Sequence, residues 1–244
     1  MWPHTPYSCL HKSITGCIVT EHLNADFTQA VVVHTSAMEW QQSPSPRVWR
    51  KRLDLSGPKE RGRVTSVVRY DANSKFHPHL HPDGEEILVL DGVFSDGHGD
   101  FPAGSYLLNP EGFEHAPFSK SGCVLFVKLK QYPGPARRQI AINMLEQPWE
   151  DQGNGVSRLT LYEEEGYPER MAMVRVEDGA TLTFDGGLNG SEMFLLSGAF
   201  SDDNGSYATG DWLRWPTVED RVFTATDTVT AYIKTGHLSV WPYR

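Results

Sequence analysis

The sequence predicts an all-β protein built as two jelly-roll barrels in tandem, and three observations carry that prediction. The chain repeats itself: a shift of 106 residues lays GEEILVLDGVFSDGHGDFPAGSYLLNP (from Gly84) on GSEMFLLSGAFSDDNGSYATGDWLRWP (from Gly190) without a gap. Its apolar runs are short and rich in Val, Leu, Phe and Tyr (TSVVRY, EEILVLDGVF, SYLLN, CVLFVKLKQY), and DANS, PDG, DGHGD and PEG punctuate them. No segment keeps a 3.6-residue apolar period beyond about three turns, so long amphipathic helices are excluded. Closely spaced strands between turn signals belong to double-sheet jelly rolls and small barrels.

Taken in order, residues 1–37 form an N-terminal arm with one strand-like stretch, QAVVVHT, and a loose first twenty residues. Residues 38–143 make the first unit and 144–244 the second. The repeat extends upstream of its best-matched core, with RLDL (52–55) over RLTL (158–161) and Arg69 over Arg175. Such self-similarity at a fixed period is the mark of a duplicated structural unit.

Bulk properties narrow the function. A net charge of −9 leaves no basic face for a phosphate backbone, which argues against nucleic acid as a partner. No run approaches the roughly 18 apolar residues of a membrane span. The first twenty residues lack a basic stretch followed by an apolar one, so no secretory leader is expected. Three cysteines (Cys9, Cys17, Cys123) do not make a disulfide framework; Cys123, in an apolar run, is expected as a buried thiol. A cytoplasmic, reduced setting and a small-molecule partner are the resulting expectations, with a homodimer through an edge strand left open.

Chemistry concentrates in FHPHLHPDGEEILVLDG. His79 and His81 stand two apart, so on a strand both leave by the same face. Pro82-Asp83-Gly84 is a turn tripeptide, and a hairpin there would set Glu85 across from His81, about 5 Å away on that face. Strand parity favours Glu85 over Glu86. His115 follows the turn Pro110-Glu111-Gly112. Three imidazoles and a carboxylate suit one divalent Zn, Fe, Ni, Cu or Mn ion. Three further residues are candidates for the pocket wall or for supporting the ligands: His77, Phe94 and Tyr106. Glu85 is also a candidate base. Cys9, His11 and Cys17 lie close in sequence, but chance accounts for that grouping. At the repeat offset the four ligands become Asp185, Gly187, Ser191 and Arg221. Glycine offers no ligand atom and arginine no lone pair, so the second barrel is expected to be structural, or at most an anion pocket around Arg221.

The spacing of these residues resembles the cupin motifs. His79, His81, Glu85 and Gly92 fit the first pattern, and Gly104, Pro110, Gly112 and His115 the second, both without gaps. Together with NADF, Trp40 and the following SPSP, TSVVRY and HPDGEEILVLDGVFSD, they make the chain similar to the ChrR-type cupins. That family includes the C-terminal cupin of ChrR anti-sigma factors and cupins like dihydroxyacetophenone dioxygenase. The resemblance implies a zinc or iron site on His79, His81, Glu85 and His115. It covers roughly residues 22–130, with the second half a divergent copy. The separate zinc domain by which ChrR proteins grip a sigma factor has no counterpart in the arm, where Cys9, His11 and Cys17 lack its spacing. Two functions follow as expectations: a metal-dependent dioxygenase-type enzyme acting on a small oxygenated compound, or a zinc-holding module that senses a ligand or oxidant.

Overall fold

The computed structural model describes residues 22–184, 189–216 and 220–238. Among these residues the chain is nearly all strand, with two single-turn 3-10 segments, Thr35–Ala37 and Met144–Glu146. Among the described residues no helix is long and apolar enough to cross a membrane. Cys9, His11 and Cys17 lie outside the described residues, as do Asp185 and Gly187. Cys123 is a buried free thiol whose pKa burial pushes up to about 11.

In the first barrel the large sheet runs in the order Ile140–Asn143, Ser105–Asn109, Glu85–Asp96, Cys123–Leu129, Arg63–Tyr70, Val48–Ser56, Gln41–Gln42. The second barrel repeats it as Val31–His34, Asp211–Trp215, Ser191–Ser197, Val229–Thr235, Arg170–Val176, Val156–Tyr162, Glu150–Gly153. The edge strands are exchanged. Val31–His34, in the arm that precedes the first barrel, pairs with Asp211–Trp215 of the second. Ile140–Asn143, which leads into the second barrel, pairs with Ser105–Asn109 of the first. Each barrel thus covers an open sheet edge with a strand from across the molecule, which removes an exposed template for aggregation.

The large sheets pack against each other through their outer faces. Leu88, Phe126, Phe194, Trp212 and Tyr232 belong to one buried cluster spanning both barrels, with Phe126 and Phe194 stacked at 4.6 Å. Charges are buried within this layer in a crossed arrangement. Lys234 of the second barrel meets Glu86 of the first at 2.8 Å, and Lys128 of the first meets Glu192 of the second at 2.5 Å. The two glutamates occupy equivalent repeat positions, as do the two lysines, so the pairs are related by the duplication. Burial works against both carboxylates, yet the facing lysines hold Glu86 below and Glu192 well below the ordinary range.

Candidate metal centre

The site lies where the strand ends of the first barrel meet. Pro82-Asp83-Gly84 does make a turn, with Asp83 at φ 61° and Gly84 at φ 74°. A side chain on Gly84 would collide with the Tyr132 carbonyl oxygen at 2.3 Å, so glycine is required there. The turn does not close a hairpin, however. His79–Leu80 pairs with Glu114–His115, placing His79 opposite His115, while Glu85 pairs with Asn109 and Leu129 in the large sheet. The chain turns a corner from one sheet to another, and His81 and Glu85 meet across that corner with Nε2 and Oε2 3.6 Å apart.

His79, His81 and His115 bring one ring nitrogen each to within 4.8 Å of one another. The Nε2 atoms of His81 and His115 are 2.9 Å apart, and Glu85 Oε2 lies 3.4 Å from His115 Nε2. His81, Glu85 and His115 are buried; His79 is half-buried at the rim. Burial, with the neighbouring His115 and His79, pulls the His81 pKa down to about 3, leaving the neutral imidazole that can bind a cation. Burial raises the Glu85 carboxyl, against the pull of His115 and a hydrogen bond from Asn109 Nδ2 at 3.1 Å.

The surroundings orient these donors. His79 Nδ1 donates to the His77 carbonyl oxygen at 2.8 Å, and His115 Nδ1 donates to Asp96 Oδ2 at 3.0 Å. In both rings the proton is fixed on Nδ1, so the Nε2 lone pair is the one available, the arrangement typical of metal-ligating histidines. Burial disfavours the charged Asp96, yet the His115 hydrogen bond and the backbone N–H of His98 keep it ionised. Three converging imidazoles, two of them oriented in this way, beside a buried carboxylate fit a divalent ion. The residues that would hold it are His79, His81 and His115, with Glu85 at the fourth corner.

The remaining candidates fall elsewhere. The His77 side chain is exposed, and only its carbonyl serves the site. Phe94 is a core residue whose ring lies 6.1 Å from that of His115. Tyr106 is not a pocket residue: it points to the opposite face of its strand, where its hydroxyl donates to Glu86 between the barrels at 2.8 Å. Glu86 sits in that same layer, one residue out of phase with Glu85, as alternation requires. Asp96 and Asn109 were missed as supporting residues. Asp96 could have been found, because the Ser-Asp pair recurs at Ser201-Asp202.

A cavity of about 170 Å³ opens onto His79, His81 and Glu85. Val48, Val68, Ile87, Leu125 and Val127 form its apolar wall, and Arg50, Arg52, Lys59 and Glu60 line it as well. In the second barrel the described counterparts of this wall, Ala172, Val174, Met193, Ala231 and Ile233, are buried in one core cluster. Trp215 stands at the position of Asn109 and contacts Phe184 at 5.0 Å and Phe223 at 5.7 Å. Ser191, at the position of Glu85, is buried. Arg221, at the position of His115, is paired with Asp202 and packs 5.1 Å from the Trp215 ring.

Two tandem jelly-roll barrels, one of them with a histidine cluster at a sheet corner, define a bicupin. The chain belongs to the ChrR cupin-like domain family, whose model matches it twice, over residues 28–133 and 137–239. A comparison with curated proteins finds no match. Solved structures share the fold. A dioxygenase candidate from Nostoc punctiforme superposes with a TM-score of 0.68 at 13% identity, covering 89% of this chain and 87% of its own. The Escherichia coli pirin YhhW in complex with nickel(II) gives 0.64 at 12%, covering 84% and 98%. A two-residue deletion mutant of Bacillus subtilis oxalate decarboxylase gives 0.58 at 13%, covering 84% and 76%.

Proposed function

We propose that the first barrel is a metal-dependent catalytic site of the dioxygenase type, acting on a small oxygenated organic compound. His79, His81, His115 and Glu85 are its metal ligands. The observation that carries this reading is the convergence of three imidazoles and a buried carboxylate, of which His79, His81 and Glu85 line a cavity that a small molecule can enter. A structural metal site needs no such access. Iron, manganese or nickel held there would supply a Lewis-acid and redox centre with coordination positions open to a ligand. The chain's own contribution is orientation and proton handling. Asp96 and the His77 carbonyl fix two imidazoles, the apolar wall excludes water, and Glu85, released from the ion, would serve as the base for a substrate proton. The Nostoc punctiforme dioxygenase candidate shares the fold and lends weight to this choice of chemistry.

Elemental analysis of untagged protein, followed by O2 uptake with a panel of hydroxyketones and diketones, tests it. About one Fe, Mn or Ni per chain with consumption of O2 is expected. Metal-loaded protein that consumes no O2 with any of them would sink the enzyme. The family match to the ChrR cupin-like domain favours a second reading, a zinc-holding sensor. One tightly bound Zn per chain, with a partner captured only before or only after oxidant treatment, would select it.

A further inference from the structure

Part of the cavity lining, beside the apolar residues, is charged in a way a hydrophobic substrate would not need. Val48, Arg50 and Arg52 alternate onto the inner face of the strand Val48–Ser56 and line the same cavity as His79 and His81. Arg50 Nη2 donates to Glu60 Oε1 at 2.6 Å, and Arg52 Nη2 donates to the same oxygen at 3.1 Å. The arginine side chains are 18% and 6% exposed, whereas that of Glu60 is 43% exposed. Two sheltered guanidinium groups therefore converge on one carboxylate that reaches them from a surface turn, in which the N–H groups of Arg61 and Gly62 both bond to the Pro58 oxygen. Lys59 on that turn adds a third cation to the lining.

A guanidinium pair in an apolar setting is a strong carboxylate receptor, because its donors match the carboxylate fork and water competes poorly. Glu60 already shows that a carboxylate fits there. The cavity volume is close to the roughly 150 Å³ that takes a benzene ring in an apolar protein cavity.

We propose that Arg50 and Arg52 form a subsite for the carboxylate of a small organic acid, and that Glu60 is the internal occupant such a ligand displaces. Resting on the reading of the histidine site as the reactive end, this makes the substrate a monocarboxylate with a compact apolar body, its acid group at the arginines and its reacting end at His79, His81 and Glu85.

Benzoate and benzamide are suitable probes, being alike in shape and different in charge. Both are titrated calorimetrically into the full-length chain, as purified and after treatment with a chelator. Benzoate is expected to bind about tenfold more tightly than benzamide in both preparations. Glu60→Gln keeps the turn and removes the competing charge, so it should tighten benzoate by about three- to tenfold without moving benzamide. Arg50→Gln should reduce benzoate to the level of benzamide. Equal binding of the two probes, no measurable benzoate binding, or indifference of benzoate to Glu60→Gln would overturn the subsite. So would a benzoate preference that survives Arg50→Gln and disappears with the metal, which would place the carboxylate at the histidines. If the purified chain holds no metal yet shows the Glu60 and Arg50 shifts, the reading of the histidine site fails and the subsite stands.

Discussion

One repeat apart, the same acid meets two different partners. In the first barrel Asp96 accepts from His115 Nδ1 and so leaves the Nε2 lone pair beside His81 and Glu85. In the second, Asp202 pairs with Arg221 and also accepts from the Tyr207 hydroxyl at 2.9 Å. An imidazole orientated by a carboxylate becomes a ligand, whereas a guanidinium held by the same carboxylate is neutralised and has no lone pair to offer. The neighbours follow suit. Asn109 supports Glu85 in one barrel, and Trp215 plugs the corresponding space in the other. The second barrel keeps the backbone plan and, among the described residues, turns the counterparts of the apolar wall into packed core. What it returns to the first is structural: the partners for Lys128 and Glu86.

The largest expected difference between the barrels is in metal content. His79→Ala and His115→Ala should each abolish it, from about one ion per chain to background, because a three-nitrogen site rarely survives loss of one nitrogen. Arg221→Ala should leave it unchanged. Elemental analysis of the three variants decides, and a metal lost with Arg221→Ala would mean that the second barrel is not a bystander.

Next comes the layer between the barrels. Lys234→Met leaves Glu86 buried without its cation, although Tyr106 and Tyr232 still donate to it, and about 3–5 kcal/mol of stability should go. The duplication predicts a loss of similar size for Lys128→Met, which leaves Glu192 without its cation although His237 still donates to it. Adding Glu86→Leu to Lys234→Met should recover much of the loss, since an apolar pair can replace a buried ion pair. Urea unfolding measures all three, and a loss below about 1 kcal/mol for either lysine would mean that the crossed pairs are solvent-relaxed.

Acid should open the same layer. His237 Nε2 lies 3.1 Å from Glu192 Oε2, and burial, outweighing that carboxylate, lowers its pKa to about 4. Between pH 6.5 and 4 the unfolded chain therefore takes up a proton that the folded chain refuses, so stability falls as pH drops through this window. At about 1.4 kcal/mol per pH unit the loss is on the order of 3 kcal/mol. Glu192, held well below its ordinary pKa, loses its contribution at still lower pH, as it is protonated. His237→Gln should remove its share of the slope between pH 6.5 and 4. An unchanged slope would place the acid sensitivity elsewhere.

Much of this was legible in the chain. The strands, the duplication and the histidine spacing are local patterns, and turn residues mark where each strand stops. Glu85 was separable from Glu86 by parity alone. The corner at Pro82-Asp83-Gly84 was not, because a turn tripeptide fixes the local backbone without saying whether the chain returns to the same sheet. The exchanged edge strands were equally hidden: His34 lies beside Asp211, 177 residues away, and no local pattern encodes such a partner. No motif marks the arginines of VWRKRLDL, and only the folded strand shows that Arg50 and Arg52 line the cavity.

The smallest effect bears most closely on the contrast between the two acids. Asp96→Asn keeps the shape of the side chain and can still accept from His115 Nδ1, but it removes the charge that strengthens the hydrogen bond and raises the basicity of Nε2. Metal affinity should fall by about 10- to 100-fold, with the ion still bound at saturation. Asp202→Asn makes the same chemical change in the second barrel, where the hydrogen-bonded partner is Arg221, and should leave metal affinity within about twofold of wild type. Competition with a chromogenic chelator reads both. Equal losses in the two variants would show that the acids act through overall charge or stability. A loss confined to Asp96→Asn would show that one retained aspartate does two jobs, set by the single residue that faces it.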